Sequence, residues 1–159
     1  MSMEAAEFRR ILGHMPTGVT VVAATEPDGA PRGLTASAVA STSLDPPLVL
    51  VCVERTSDTH ACIGRAGAFA VSVLDEGAEG LARRFATFPA EEKFEGVAYR
   101  RERTGSPVLE SALAWVDCRV WARYDGGDHT IYVGEVVAGD AQEGSPLLYY
   151  RGGYARLTP

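Results

Sequence analysis

The chain of 159 residues contains only three cysteines, Cys52, Cys62 and Cys118, and no two of them form a CxxC pair. An odd number of isolated cysteines argues against a disulfide framework and against a zinc site. We therefore expect buried thiols in a reducing compartment, the cytoplasm. The three histidines are widely spaced along the chain and predict no metal cluster.

Long apolar segments are also missing. The longest apolar run, Leu48–Val53, has the length of a strand, whereas a membrane-spanning helix needs about 20 apolar residues. The N-terminal segment, Met1–Glu7, is acidic and contains no apolar signal core. We therefore expect no membrane partner and no export signal.

Positive charge is scarce. The 15 lysines and arginines face 21 aspartates and glutamates, which gives a formal charge of −6, and Lys93 is the only lysine. Nucleic-acid binding needs a basic face, so this balance argues against it. Length and the 46% hydrophobic content predict one globular domain, residues 1–159.

Hydrophobic periodicity predicts about seven short strands and two or three short helices. The helices are expected at 3–15, at 57–65 with Gly67 as the stop, and after an Asp75 cap. The strands do not alternate regularly with helices, which favours a mainly antiparallel sheet closed into a barrel. The predicted strands are 19–25, 32–38, 48–53, 68–74, 115–124, 129–137 and pieces of 149–157.

One strand carries a further prediction. Val116, Cys118 and Val120 alternate with Trp115 and Trp121, which stand beside charged residues. This alternation predicts one dry face and one face with two tryptophans. A surface of this kind favours contact with a partner rather than with open water.

Familiar catalytic motifs are absent. The chain contains no GxGxxG after a strand and no GxxxxGK[ST], HExxH or GxSxG sequence. No pair of carboxylates stands out as an acid–base couple. A protein of this kind can still catalyse a reaction if a cofactor carries the chemistry.

Four segments have residues that suit a ligand. They are a small, hydroxyl-rich stretch (33–47), a helix start (55–59), Arg83–Phe85 with Lys93, and a turn with His129 (127–136). Backbone amides and hydroxyls of the first could approach a flat molecule, and a helix start suits a phosphate. Each segment also has an ordinary explanation: a Ser/Thr-rich loop, a helix cap, a solvated charged face and a structural histidine.

The order and spacing of these segments resemble the short-chain flavin reductase family, the small reductase components of two-component flavin monooxygenase systems. The resemblance runs from about Phe8 to Leu157. It rests on Met15–Val22, Gly33–Ser37, Ser43–Val51, Phe85-Ala86, Gly127–Thr130, Pro146–Tyr150 and Gly153-Tyr154.

This resemblance implies a fold and a flavin site. The implied fold is mainly β, an antiparallel, Greek-key-like split β-barrel with a few short helices, usually a homodimer that binds FMN or FAD. The residues that would line the isoalloxazine ring are Thr35, Ala36, Ser37 and Ala38. The backbone around Cys52 and Val53 would face its pyrimidine edge.

The resemblance also assigns the remaining ligand contacts. Ser57 and Thr59 would lie near the ribityl phosphate, and Lys93 or Arg84 would balance its charge. Phe85 would flank the flavin, and the catalytic candidate, His129, would seat the nicotinamide. Where the family often has Ser or Asn followed by Phe, this chain has Ala38-Val39, so one side-chain contact near the ring is lost or replaced.

The implied activity is that of an NAD(P)H:flavin oxidoreductase. Hydride would pass from NADH or NADPH to FMN or FAD, and the reduced flavin would supply a partner monooxygenase. Two alternatives stay open at the level of sequence. One is a flavin- or heme-related binding protein on the same barrel without nicotinamide turnover, and the other is a dimerisation or regulatory module without a ligand.

Overall fold

The structure, a computed structural model, describes residues 1–158 and is mainly β, as the sequence predicts. Its helices are α1 (Ala5–Leu12), α2 (Asp58–Ala66) and α3 (Glu79–Thr87). The first six strands are β1 (Thr17–Gly18), β2 (Thr20–Thr25), β3 (Pro31–Ala36), β4 (Val39–Leu44), β5 (Pro47–Glu54) and β6 (Ala68–Val73). The others are β7 (Tyr99–Arg101), β8 (Pro107–Leu109), β9 (Ala114–Gly126), β10 (His129–Ala141), β11 (Leu147–Tyr150) and β12 (Gly153–Arg156).

Seven strands form one antiparallel sheet in the order β3-β2-β6-β9-β10-β5-β4. The two longest strands, β9 and β10, form a hairpin in which His129 lies opposite Gly126. The sheet is open, with β3 and β4 at its edges, and β3 also contacts β5. This contact places one edge strand, β3, against β5, which is the neighbour of the other edge strand, β4.

The sheet has a hydrophobic cluster on each face. In β2, Val22 and Ala24 belong to one cluster and Val21 and Ala23 to the other, so this strand is buried on both faces. That position explains its nearly continuous apolar sequence. Helix α2 covers the first cluster with Cys62 and Ile63, and α3 covers the second with Ala82 and Phe85.

The ends of the helices differ from the predictions in two places. In α2 the prediction is confirmed, because the Ser57 hydroxyl accepts a hydrogen bond from the His60 amide and Gly67 adopts a left-handed φ of 65°. The α3 prediction is wrong at its start. The Asp75 carboxylate instead closes a turn by accepting from the Gly77 amide at 2.8 Å, and α3 begins at Glu79. Helix α1 is shorter than 3–15 and has no buried residue.

Two strand predictions also need correction. The Ser/Thr-rich segment Val39–Leu44 forms edge strand β4, because pairing with β5 satisfies its backbone whatever its side chains are. The charged residues beside the two tryptophans are predicted to share their exposed face, but one of them, Asp117, is fully buried and accepts hydrogen bonds from the amide and hydroxyl of Thr104. Trp121 is exposed, while Trp115 is partly covered by the Arg100 guanidinium.

None of the helices in residues 1–158 is both long enough and apolar enough to cross a membrane.

Candidate functional site

A groove of about 400 Å³ opens where the end of β3, the end of β5, α3 and the start of β10 meet. This volume lies in the range of small-molecule sites. Nine of the residues singled out from the sequence line it, although they come from distant parts of the chain. They are Thr35, Ala36, Ser37, Ala38, Cys52, Ser57, Phe85, Lys93 and His129.

One wall of the groove is the segment that leaves β3. The Thr35 hydroxyl donates to the Ala82 carbonyl at 2.6 Å and so ties β3 to α3. The amide of Cys52 donates to the Ala38 carbonyl at 3.0 Å. The Thr35 hydroxyl and the Cys52 amide are therefore already paired within the protein. In this segment the structure presents small side chains at Ala36, Ser37 and Ala38 to the groove.

Phe85 of α3 forms the adjoining part of this wall. Its ring packs edge-on against Phe94, with centroids 4.9 Å apart and planes at 82°. A Cβ on Gly33 would lie 3.1 Å from Phe85 Cε1 and 3.2 Å from Phe94 Cε2. Gly33 is thus the residue that allows both rings to lie this close to β3, and the position of Phe85 is set by core packing.

Lys93 brings a positive charge to the groove. Its ammonium group donates to the Gly33 carbonyl at 3.0 Å, and burial lowers the pKa of this amine, an effect that the Asp58 carboxylate opposes. A half-buried cation with one carbonyl partner keeps hydrogen-bonding capacity, since an ammonium has three donors. An anion in the groove would meet this charge.

Arg84, the alternative to Lys93 for the phosphate charge, does not line the groove. Its guanidinium donates to the carbonyls of Lys93 and Glu92, both at 2.8 Å, and stacks 4.7 Å over the Phe88 ring. These bonds are made because the 88–95 loop presents its carbonyls to the end of α3. Arg84 thus holds the loop that carries Lys93.

His129 stands on the opposite wall, at the first residue of β10. Its Nδ1 is 2.7 Å from the Asp128 carboxylate, and this bond lowers the pKa of Asp128. In the register of the sheet, His129 lies opposite Glu54. Paired residues of antiparallel strands present their side chains on the same face, and Glu54 also lines the groove.

Val53 and Thr59 do not line the groove. The Val53 side chain is fully buried in the core, on the face of β5 opposite to Cys52 and Glu54. Thr59 is 2% exposed and lies in the first turn of α2, under the surface that Ser57 presents. The Ser57 hydroxyl itself donates to the Glu54 carbonyl at 2.7 Å while it caps α2.

Three lining residues were missed from the sequence: Leu34, Glu54 and Ala86. The signal for Glu54 was present, because side chains two apart on a strand share a face and Cys52 was already a candidate. Ala86 belongs to the Phe85-Ala86 pair of the family resemblance, but its side chain has no polar group that would indicate a ligand contact. Leu34 also packs against the core cluster, as its apolar side chain would suggest.

A larger groove of about 570 Å³ lies on the other side of α3. Leu81, Phe88 and Val97 give it an apolar surface, and Arg84 crosses it on the way to the loop carbonyls. None of the small and hydroxylated residues of the 35–38 segment reaches it. The smaller groove therefore holds the candidate chemistry.

Three further titratable groups, Cys62, Cys118 and His60, lie in or against the core rather than in the groove. Burial raises the pKa of both Cys62 and Cys118 to about 12, so these thiols stay protonated. His60 Nε2 lies 2.8 Å from the Thr130 hydroxyl, and burial lowers the pKa of this imidazole. Within residues 1–158 no three His, Cys, Asp or Glu side chains are grouped so that they could hold a metal ion.

Comparison with known proteins gives a consistent result. Residues 12–158 match the model of the flavin reductase like domain. The chain is 45% identical over 157 residues to the reductase component of a 4-nitrophenol 4-monooxygenase/4-nitrocatechol 2-monooxygenase from Rhodococcus opacus, covering 99% of this chain and 83% of that protein. It is 46% identical over 153 residues to a flavin reductase (NADH) from Kitasatospora aureofaciens, covering 94% and 80%.

The fold is similar to that of solved reductases. An NADH:FAD oxidoreductase from Streptomyces globisporus C-1027, in complex with NAD and FAD fragments, superimposes with a TM-score of 0.92 at 37% identity, covering 98% of this chain and 94% of that one. The family resemblance seen in the sequence is confirmed by these matches. The chain belongs to the flavin reductase family.

Proposed function

We propose that the protein is an NAD(P)H-dependent flavin reductase that binds FMN or FAD in the groove. In the reaction, NAD(P)H, a proton and oxidised flavin give NAD(P)⁺ and reduced flavin. The observation that carries the proposal is the composition of the groove: small side chains, one fixed aromatic ring and one half-buried ammonium group lie around the same space. Relatives of this chain include a flavin reductase (NADH) and an NADH-dependent FAD reductase.

The residues of the groove fit a flat anionic ligand. Ala36, Ala38 and Ala86 leave room for a planar ring, and the fully buried Phe85 ring supports the wall of the groove from behind. Lys93 supplies the charge that a phosphate needs, and an anion would offset the cost of burying this ammonium. A bound flavin would supply the two-electron chemistry, so the protein provides binding and orientation.

His129 has the role of seating the nicotinamide. The Asp128 carboxylate accepts from Nδ1 when that nitrogen carries the proton, which fixes the tautomer and leaves Nε2 as an acceptor. If the imidazole is protonated, Nε2 is a donor instead. Either state orients a carboxamide at the rim, and orientation is the main contribution a protein makes to hydride transfer between two stacked rings.

The reduced flavin would be used by a separate monooxygenase. Relatives with this arrangement include the Rhodococcus opacus reductase component and a flavin-dependent monooxygenase reductase subunit from Rhodococcus jostii. Three cysteines without disulfides fit a reducing compartment, and we place the reaction in the cytoplasm. The whole chain would work as one domain, since the family model spans residues 12–158.

We also propose a homodimer of split β-barrels. The contact between β3 and β5 supports closure of the curved sheet at its edges. Exposed apolar side chains support association: Phe8, Met15, Leu44, Trp121 and Tyr124 are all more than half exposed, and Leu44 is 96% exposed. Size-exclusion chromatography with light scattering at micromolar concentration should give twice the chain mass of 16.9 kDa, and a monomer would contradict the dimer.

The activity is tested by mixing the purified protein with each flavin and each nicotinamide under anaerobic conditions. We expect the flavin absorbance to bleach as NAD(P)H is oxidised, and the four combinations give the preferences for FMN or FAD and for NADH or NADPH. No bleaching in any combination would contradict the proposal. Flavin binding without NAD(P)H oxidation would indicate a flavin-binding protein instead.

A further inference from the structure

Arg55 stands outside the groove but contacts the turn that carries His129. It is the first residue after β5, and its backbone amide donates to the Asp128 carbonyl at 3.0 Å. Its side-chain Nε donates to the His129 carbonyl at 3.3 Å, and its guanidinium pairs with the Asp125 carboxylate. Three bonds from one residue therefore reach three positions of the same turn.

The turn between β9 and β10 has few other contacts that fix its conformation. Residues 124–128 are all exposed, so no apolar packing fixes the tip of the β9–β10 hairpin. Gly127 takes a left-handed φ of 79°, and its amide donates to the Asp125 carboxylate at 3.2 Å. Asp125 thus links Arg55 to the inside of the turn, and polar contacts set its conformation.

The position of His129 depends on this turn. His129 begins β10, its carbonyl accepts from Arg55, and its imidazole bonds to Asp128, whose carbonyl also accepts from Arg55. A displacement of the turn would therefore move the imidazole relative to Phe85 and Lys93, which are held separately. Breaking exposed hydrogen bonds of this kind costs the protein little stability, yet the same bonds can determine the orientation of a side chain.

We propose that Arg55, braced by Asp125, is a positioning residue that orients His129 toward the nicotinamide; this rests on the proposed function. Arg55 does not line the groove, so it acts through the turn rather than by touching flavin. Lysine at this position would keep the charge and the backbone bond, but a single ammonium cannot reproduce the planar fork that reaches both His129 and Asp125.

The test compares Arg55→Ala, Arg55→Lys and Asp125→Asn with the unmodified protein. We expect Arg55→Ala to raise the nicotinamide KM about three- to tenfold, with flavin Kd and Tm unchanged. Arg55→Lys should recover part of the loss. Asp125→Asn should reproduce much of the effect, and the double variant Arg55→Ala/Asp125→Asn should be no worse than Arg55→Ala. Arg10→Ala, which breaks an exposed pair with Glu7 on α1, is the matched control.

Hydrogen exchange gives a readout that does not need activity. Arg55→Ala should speed exchange of the amides at 127–130 and leave β2 protected. If the unmodified protein oxidises no NAD(P)H but exchange at 127–130 is still faster in Arg55→Ala, the proposed function fails, while the role of Arg55 in holding the turn is supported. Two results would contradict the positioning role of Arg55. One is weaker flavin binding with an unchanged nicotinamide KM, and the other is an unchanged KM and unchanged exchange in both Arg55 variants.

Discussion

The two walls of the groove are built in different ways. The inner wall, defined by Thr35, Phe85 and Lys93, is held by contacts that reach into the protein: a hydroxyl on a helix carbonyl, a ring against Phe94 and an ammonium on a strand carbonyl. The hairpin wall, defined by Glu54 and His129, is held by hydrogen bonds at the surface.

This difference separates stability from ligand recognition. A change in the inner wall alters the core and the ligand site together, because Phe85 belongs to both. A change in the hairpin wall alters the rim of the groove but removes no buried contact. We therefore expect inner-wall variants to affect folding and flavin binding, and hairpin-wall variants to affect the nicotinamide alone.

The largest expected effect is at Phe85. Phe85→Ala should lower the free energy of unfolding by about 3–5 kcal/mol, the usual cost of emptying a buried aromatic site. It should also weaken flavin binding, because the cavity opens into the groove. Phe69→Ala is the control, since Phe69 is as buried as Phe85 but belongs to the other core cluster. Chemical denaturation and flavin titration measure the two effects.

Equal flavin Kd values for folded Phe85→Ala and Phe69→Ala would break the comparison between the walls. The inner wall would then contribute stability only. If both variants are too unstable, Phe85→Leu and Phe69→Leu give the same test with smaller cavities.

The next largest effect is at His129. His129→Ala should raise the nicotinamide KM about tenfold, equivalent to about 1.4 kcal/mol of binding free energy, with no change in flavin Kd. Tm should stay the same, because the side chain is partly exposed and its partner, Asp128, is fully accessible. His14→Ala is the control, an exposed histidine just after α1 whose ring contacts the Arg10 carbonyl and which does not line the groove. Steady-state kinetics with saturating flavin supply the measurement, and an unchanged KM would remove the role of His129.

The hairpin wall was the more predictable of the two in sequence terms. Asp-Gly-Gly-Asp before a β-branched run signals a tight turn, and His129 follows it directly. Local rules were enough because the turn and the side chain are neighbours in the chain. The sequence marks Arg55 only as part of a helix start, because its contacts with the turn span about 70 positions of sequence.

The inner wall was predictable in its members but not in their bonds. Thr35, Phe85 and Lys93 were all candidates, yet the Thr35 hydroxyl is used by Ala82 and Arg84 is used by the loop. Which carbonyl a hydroxyl or guanidinium reaches depends on how α3 packs on β3, which no local pattern encodes. The same tertiary effect turned the Ser/Thr-rich 39–44 segment into a strand.

Thr35→Val sharpens the comparison at a smaller scale. Valine keeps the shape of the side chain but removes the bond to the Ala82 carbonyl, so stability should fall by about 1 kcal/mol. Flavin Kd should rise a few fold, because α3 loses one of its attachments to β3. Thr25→Val is the control, since Thr25 donates a similar bond of 2.7 Å to the Gly105 carbonyl, away from the groove. The idea fails if both variants have the same flavin Kd.

A small effect on stability is expected for Lys93→Met, and its size depends on pH. Burial lowers the pKa of Lys93 below its ordinary value of 10.5, so the charged amine destabilises the folded state at neutral pH. That penalty disappears as the pH rises through the folded-state pKa toward the unfolded-state value. The bond to the Gly33 carbonyl does not share this dependence, because a neutral amine also donates.

The Tm of the unmodified protein should therefore rise relative to that of Lys93→Met on going from pH 7 to alkaline pH. At pH 7 the variant should bind flavin more weakly without a matching loss of Tm. A Tm difference that is independent of pH would mean that the ammonium is not held at a cost, and the inner wall would then contain no site prepared for an anion.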